Sequence, residues 1–127
     1  MNLNNHLKFL IFGVSGMAGN TIATYLIEKG HDVTGFGRID QQTILTIKGD
    51  VRDEELVKKT IEEGKYDYII NCIGILNEFA EENHEAAVYL NSYFPHFLAL
   101  LTKRSKTRLI LMSTDCVFSG KKGGYTE

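Results

Sequence analysis

The chain has 127 residues, 43% of them hydrophobic and 24% charged, which is typical of one soluble globular domain and too short for a two-domain enzyme. Its 14 basic and 16 acidic residues give a net charge of −2 with no stripe of lysine or arginine. Neither nucleic acid nor an anionic membrane is therefore an expected partner.

The apolar run near the start contains Lys8 and leads directly into Gly13, which argues against a secretory leader or a membrane span. The two cysteines, Cys72 and Cys116, lack the spacing of metal ligands or of a redox pair. Reduced thiols in a cytoplasmic protein are the favoured interpretation.

Residues 7–19 form an apolar run, then a glycine turn, then the start of a predicted helix. The glycines are spaced G-x-x-G-x-x-G. The first lets the chain turn sharply off a strand, the second leaves bare backbone for a pyrophosphate, and the third lets the helix pack closely. The helix N-terminus adds free N–H groups and a partial positive charge. The alternative is a glycine-rich corner without a ligand. The predicted phosphate contacts are Gly13, Ser15, Gly16, Met17 and Gly19.

Further along the chain, predicted helices and strands alternate. The first helix has apolar residues at helical spacing and ends at Gly30. Asp53 is a suitable N-cap for the second helix, and Pro95 predicts a bend or a local break in the third. Residues 113–127 are a predicted loop. The predicted strands span 7–12, 31–36, 43–48, 66–71 and 108–112, and the predicted helices span 17–29, 54–63 and 83–104.

This alternation predicts a Rossmann-type α/β fold in residues 1–127, a doubly wound parallel sheet of about five strands with helices on both faces. Ligands of such sheets bind at the carboxyl ends of the strands, near the point where the strand order reverses. Polar and small residues follow the predicted strands at those ends. They are the candidates for a binding site.

Arg38 follows the second predicted strand. At this place in dinucleotide-binding folds an acid binds the ribose 2′-OH of NAD, whereas an arginine accommodates the 2′-phosphate of NADP. Arg38 therefore favours NADP as the cofactor, and the nearby Asp40 leaves NAD as an alternative. The alternative is that Arg38 is an exposed loop side chain without a ligand.

Two more corners follow the third and fourth predicted strands. Asp50 and Val51 lie where an adenine ring is expected, and the Asp50 carboxylate could accept from the exocyclic amine or bond its own backbone in a turn. The small residues at 72–74 would let a cofactor ribose and phosphate lie against backbone. The alternative there is an ordinary turn formed by Asn71 before a glycine.

Three residues nearer the end of the chain are candidates for positions close to the reacting atoms. Asn91 lies among apolar residues of the third predicted helix, and a buried amide needs hydrogen-bond partners. It is either a structural bridge to a nearby strand or a residue that orients a catalytic water or lysine. Ser113 and Thr114 follow the fifth strand, where a hydroxyl could bind a substrate oxygen or cap the strand end.

Together and in this order, these segments resemble the extended short-chain dehydrogenases/reductases. Within them, the chain is most similar to the dTDP-4-dehydrorhamnose reductase branch and its sugar-nucleotide epimerase relatives. The most specific match is the run Ser-Thr-Asp-Cys-Val-Phe-Ser-Gly at 113–120, and the resemblance covers essentially the whole chain.

The resemblance implies an NADP-dependent, or NAD-dependent, reductase of a nucleotide-activated sugar. Thr114 would be the active-site hydroxyl that binds the reacting sugar oxygen. The implied contacts of the pyrophosphate are Gly13, Gly16 and Gly19, and that of the 2′-phosphate is Arg38. Asp50 and Val51 would contact the adenine, and the inner half of the cofactor would contact Cys72, Ile73 and Gly74. Asn91 and Ser113 are also predicted to belong to the cofactor site.

The family also uses a Tyr-x-x-x-Lys pair, in which the tyrosine transfers a proton and the lysine lowers its pKa. In this chain the last tyrosine is Tyr125, so the pair does not follow the 113–120 run. The substrate domain is likewise expected to lie outside these 127 residues. The simplest interpretation is the N-terminal part of a longer reductase, which binds nucleotide but does not turn over a sugar. The alternatives are a non-catalytic NADP-binding regulatory module and a fragment of a sugar-nucleotide epimerase or dehydratase.

The resemblance implies two partners. The nucleotide-sugar substrate is expected to bind the full-length protein. A homodimer is expected through the long predicted helix, where an apolar face around Leu98 and Leu101 would lack its cover in this chain.

Overall fold

The computed structural model of the chain describes residues 5–114 and 119–126. Five parallel strands form one sheet in the order β3-β2-β1-β4-β5, so the strand order reverses between β1 and β4. The predicted doubly wound arrangement is confirmed. The strands are β1 (Lys8–Phe12), β2 (Asp32–Gly37), β3 (Leu45–Lys48), β4 (Tyr68–Asn71) and β5 (Arg108–Leu111).

The helices agree with the predictions up to β4 and differ after it. The predicted N-cap of the second helix is confirmed, because the Asp53 carboxylate accepts a hydrogen bond from the backbone N–H of Leu56 at 3.0 Å. A short helix after β4 was not predicted, and none of its residues is buried. None of the described helices is long and apolar enough to cross a membrane. The helices are α1 (Met17–Glu28), α2 (Glu54–Gly64), α3 (Glu78–Glu82), α4 (His84–Val88) and α5 (Phe94–Thr102).

Apolar side chains cover both faces of the sheet, as expected for a parallel sheet between helices. On one face the ring of Phe12 contacts the edge of the Phe94 ring at 5.3 Å between centroids, and Leu98 lies in the same fully buried cluster. On the other face Ile11 and Ala23 belong to a second buried cluster, which joins α1 to the sheet. The two clusters hold β1 at the centre of the fold.

The long predicted helix is interrupted by one π-helical turn, Tyr89–Tyr93, which we call the π-turn. The N–H of Phe94 donates to the carbonyl of Tyr89, five residues back. The break predicted near Pro95 is thus confirmed, but it lies before the proline. Pro95 itself stands in the first turn of α5, where its missing N–H costs little.

The expectation that Leu98 and Leu101 lie uncovered is wrong. Leu98 is fully buried, and Leu101 packs against the same core cluster, because this face of α5 is turned toward the sheet. The exposed apolar side chains of this helical segment include Val88 and Leu100, which are 64% and 69% exposed. A helical period identifies residues that share a face, and here that face belongs to the core of the chain itself.

Truncating Leu98 therefore tests the placement of α5. We expect Leu98→Ala to lower the free energy of unfolding by about 2–5 kcal/mol, because it leaves a cavity in a fully buried cluster. The matched control Leu100→Ala should change it by less than about 0.5 kcal/mol, since that side chain is exposed. Urea unfolding followed by circular dichroism measures both, and equal losses for the two variants would contradict the assigned orientation of α5.

Candidate functional site

A cleft of about 440 Å³ opens at the carboxyl ends of β1 to β4, where the strand order reverses. This is the place at which open α/β sheets bind ligands. The predicted site residues that line it are Gly13, Ser15, Arg38, Asp50, Val51, Ile73 and Gly74. Its lining also includes residues that were not predicted, namely Gly37, Gly49, Arg52, Ile75, Asn83, Ala86 and Leu90.

The chain leaves β1 through a turn that only glycine allows. Gly13 has a φ of +78°, and a Cβ on it would lie 2.9 Å from the Cγ1 of Ile73 and 3.2 Å from the carbonyl carbon of Cys72. The carbonyl of Gly13 accepts a hydrogen bond from the N–H of Gly16 at 3.0 Å, which closes the turn. Bare backbone is therefore what the cleft presents at the end of β1.

The first turn of α1 lies directly against this corner. A Cβ on Gly19 would lie 2.2 Å from the carbonyl oxygen of Gly13, which is closer than any side chain can approach. Gly16 is the N-cap of α1, without a side chain to occupy the free N–H groups, and the first turn of the helix carries no acidic residue. Gly16, Met17 and Gly19 do not line the cleft, and the Met17 side chain is 88% exposed. The N-terminus of α1 is thus open to an anion.

The charged side chains of the cleft are unevenly placed. Arg38 follows β2 directly and lines the cleft, whereas Asp40 does not. Among the described lining residues Asp50 is the one carboxylate and Arg38 and Arg52 are the arginines, and the charge of Arg52 is compensated by Glu85, to which it is bonded. The rim at the end of β2 therefore carries a cation, as the prediction of a phosphate contact requires.

Asp50 and Asn71 both form the turn hydrogen bonds that were the alternatives to a ligand-binding role. The Asp50 carboxylate accepts a hydrogen bond from the backbone N–H of Arg52 at 2.9 Å, and the Asn71 side-chain oxygen accepts one from the N–H of Ile73 at 3.2 Å. Both are side chains that bond to the backbone two residues on. Each shapes a corner of the cleft, and the second carboxylate oxygen of Asp50 stays available to a ligand.

Asn91 is a bridge, but its expected burial is wrong. Its side-chain oxygen accepts from the N–H of Ile75 at 2.8 Å, and its Nδ2 donates to the carbonyl of the same residue at 2.7 Å. The side chain is exposed and does not line the cleft. Asn91 therefore ties the π-turn to the loop after β4 instead of bridging to a strand.

The remaining predicted residues lie at the ends of β4 and β5. Cys72 is half-buried beside Gly13 and does not line the cleft, and burial raises the pKa of its thiol above the ordinary value. Ser113 and Thr114 follow β5, are exposed and also lie outside the cleft lining. The rest of the predicted 113–120 motif at 115–118, which includes Cys116, lies outside the described residues.

The outer wall of the cleft is the part that sequence reasoning missed. Ala86 and Leu90 line it from α4 and the π-turn, and Asn83 and Arg52 stand beside them. The guanidinium of Arg52 binds both carboxylate oxygens of Glu85 at 2.9 and 3.0 Å. These two residues are 33 positions apart, so no local pattern connects them.

The sequence does contain one Tyr-x-x-x-Lys spacing, at Tyr25 and Lys29. Tyr25 lies in the last turn of α1 and Lys29 is its C-cap, and the Lys29 ammonium lies 5.3 Å from the centre of the Tyr25 ring. Because α1 starts at the carboxyl end of β1 and runs back along the sheet, its last turn lies at the opposite edge from the cleft. This pair is therefore not the proton-transferring pair of the reductases.

The glycine corner, the cleft at the switch point and the parallel five-stranded sheet define a Rossmann-type α/β domain of the kind found in dehydrogenases and reductases. The chain belongs to the family whose model is described as the RmlD substrate binding domain, which matches residues 7–127. The predicted resemblance to the dTDP-4-dehydrorhamnose reductase branch is thereby confirmed.

Relatives with assigned names agree. The chain is 30% identical over 120 residues to the probable low-salt glycan biosynthesis reductase Agl14 of Haloferax volcanii, covering 92% of this chain and 40% of the relative. It is 29% identical to dTDP-4-dehydrorhamnose reductase of Mycobacterium tuberculosis, covering 92% and 36%. A structure described as a hypothetical dTDP-4-dehydrorhamnose reductase from Sulfolobus tokodaii matches with a TM-score of 0.80 and 27% identity, covering 95% and 44%. The chain thus spans about two fifths of the length of these relatives.

The close approach at Gly19 gives a direct test of the corner. We expect Gly19→Ala to lower the free energy of unfolding by about 1–3 kcal/mol, because its methyl group would meet backbone that cannot move aside. In the matched variant Gly16→Ala the new methyl group lies 3.3 Å from the Gly13 oxygen, so a smaller loss is expected. Urea unfolding compares the two, and an unchanged Gly19→Ala protein would contradict the geometry of this turn.

Proposed function

We propose that this chain forms the cofactor-binding part of an NADP-dependent reductase that acts on a nucleotide-activated keto sugar. The observation that carries the proposal is the position of Arg38, which follows β2 and lines the cleft while the nearby Asp40 does not. An arginine at the end of the second strand of a dinucleotide-binding fold accommodates a 2′-phosphate. The relatives that carry reductase names support the class of reaction.

In this proposal the pyrophosphate lies on the glycine corner. The space that a Cβ would fill at Gly13 and Gly19 is taken by the protein itself, so these two glycines are required by the turn. Gly16, the N-cap of α1, places no side chain over the first turn of the helix, so the phosphates are proposed to contact the free main-chain N–H groups of that turn directly. The partial positive charge at the start of α1 is not offset by an acidic side chain. The residues present therefore fit a dinucleotide.

The adenine would lie at the outer end of the cleft. Val51 is buried, and it forms an apolar wall there together with Ala86 and Leu90. The Asp50 carboxylate oxygen that does not bond to Arg52 is proposed to accept a hydrogen bond from the exocyclic amine. The residues proposed to hold the inner half of the cofactor are Cys72, Ile73, Gly74, Asn91 and Ser113, through backbone contact or by shaping the loops.

When bound, NADPH supplies the hydride that reduces a sugar carbonyl. Thr114 is proposed to bind the reacting sugar oxygen, at the end of β5 and next to the end of β4. The tyrosine and lysine that complete proton transfer in the family have no counterpart at this edge of the described sheet. We therefore propose that the 127-residue polypeptide binds cofactor but leaves NADPH unoxidised when a keto-sugar nucleotide is added.

Calorimetric titration with NADPH and NADH tests the cofactor assignment. We expect tighter binding of NADPH, and a roughly ten- to hundredfold weaker affinity in Arg38→Ala, because charge-assisted hydrogen bonds to the 2′-phosphate are lost. NADH binding should be unchanged in that variant. Arg104→Ala removes the same charge just after α5 and should affect neither ligand. Equal affinity for both cofactors with no effect of Arg38→Ala would refute the role of Arg38.

We also propose that two copies of the chain pair through the helical segment formed by α4, the π-turn and α5. Val88 and Leu100 are its exposed apolar side chains, and Tyr93 is 45% exposed between them in sequence. Exposed apolar side chains that share a surface mark sites of association, and these three are proposed to do so.

Sedimentation velocity tests this pairing. We expect a concentrated sample of the unchanged chain to sediment as a dimer and Leu100→Lys to sediment as a monomer, because a buried ammonium opposes association. Leu45→Lys introduces the same charge at a side chain that is 75% exposed on β3, and it should leave the dimer intact. A monomer at every concentration of the unchanged chain would rule the pairing out.

A further inference from the structure

Three side chains join the turn after β3 to the helical wall of the cleft, and we call them the brace: Arg52, Glu85 and Tyr89. The Arg52 guanidinium donates to both Glu85 oxygens at 2.9 and 3.0 Å. The same guanidinium carbon lies 5.2 Å from the centre of the Tyr89 ring. The Tyr89 hydroxyl donates to the carbonyl oxygen of Val51 at 3.1 Å. One arginine therefore contacts two side chains of the helical wall at once.

The brace connects two elements, the turn after β3 and α4, that both line the cleft where the adenine is proposed to lie. Arg52 directly follows Val51, which is 6% exposed and lines the cleft. Glu85 and Tyr89 are four residues apart, and the neighbouring Ala86 lines the cleft from α4. Moving α4 away from the turn would separate Ala86 from Val51 and widen the cleft. The brace opposes that movement.

The geometry sets the brace apart from an ordinary surface ion pair. Single exposed pairs contribute little to stability, because each holds two long side chains in one position. Here the pair is bidentate, and the guanidinium also lies over the aromatic ring of Tyr89, whose hydroxyl bonds to the backbone of Val51. The hydrogen bond from Arg52 lowers the pKa of Glu85, so the carboxylate stays charged throughout the neutral range. Tyr89 is in addition the first residue of the π-turn, so its position depends on that turn.

We infer that Arg52, Glu85 and Tyr89 are positioning residues for the adenine end of the dinucleotide, which they serve by holding α4 and the π-turn in a fixed position against the turn after β3. This inference rests on the proposed cofactor-binding function. Glu85 and Tyr89 do not line the cleft, so they act through Arg52 and Val51 and not by contact with the ligand.

Arg52 itself lines the cleft, so it could also contact the cofactor directly. Substituting Glu85 distinguishes such a direct contact from the positioning role of the brace. If Arg52 bound a phosphate of the cofactor directly, removing the carboxylate would free the guanidinium and leave affinity unchanged or improved. If Arg52 acts through Glu85, removing the carboxylate should weaken binding nearly as much as removing the arginine. The two possibilities therefore predict opposite effects of one substitution.

The experiment measures the dissociation constants of adenosine 2′,5′-bisphosphate and of NADPH for the unchanged 127-residue chain and for Arg52→Gln, Glu85→Gln and the double variant. We expect each single substitution to weaken both ligands by roughly three- to tenfold, and the double variant to be no weaker than either, because the pair acts as one unit. If both dissociation constants rise by the same factor, the lost interaction lies at the adenine end of the dinucleotide.

Glu82→Gln is the matched control, since it removes the same charge at the exposed end of α3, three residues earlier. It should leave both affinities unchanged. Tyr89→Phe keeps the ring under Arg52 but removes the hydrogen bond to Val51, and we expect it to weaken both ligands as well. This variant keeps the test decisive if a Glu85 variant is poorly folded by circular dichroism.

The possible results separate failure of the proposed cofactor-binding function from failure of the proposed role of the brace. If the unchanged chain binds neither ligand, the proposed function fails. If it binds both, while Glu85→Gln and Tyr89→Phe behave like Glu82→Gln, the function stands and the brace is refuted. If Glu85→Gln increases affinity, Arg52 is a direct ligand contact and the positioning role is overturned.

Discussion

The structure depends on one steric constraint, which is the contact between the first turn of α1 and the end of β1. Only a hydrogen atom fits between Gly19 and the carbonyl of Gly13. Gly13 in turn packs against the backbone of Cys72, so the helix, the central strand and β4 are held together at one point. That point is where the strand order reverses, so the N-terminus of α1 starts beside the cleft. The brace joins two other elements that line the cleft, the turn after β3 and α4.

Most of the fold could be predicted from the sequence, because its signals are local. Buried parallel strands are short apolar runs, and all five were predicted to within two residues of their observed ends. Asp53 and Gly30 mark helix ends through the chemistry of their own side chain or backbone. The break before Pro95 was expected because a proline cannot donate to the preceding turn. The displacement of that break into the π-turn depends on packing, which the sequence does not express.

The candidate site was only half predictable, and the missing half consists of contacts between distant residues. The lining that comes from strand ends, such as Arg38 and Asp50, follows from topology alone. Arg52 and Glu85 meet only after β3 and α4 have been brought together. Leu98 and Asn91 were misjudged for a related reason. Helical periodicity shows which residues share a face, but it does not show whether that face meets the sheet or the solvent.

The π-turn also bears on how this helix can change length during evolution. Its hydrogen bonds span five residues instead of four, so the turn holds one residue more than an α-helical turn does. Losing one residue there would restore a regular α-helix while Phe94 and Leu98 kept their places in the core. The same deletion would remove the register that lets Tyr89 and Asn91 reach two different loops. Related chains with a shorter segment can therefore share this fold without sharing the cleft.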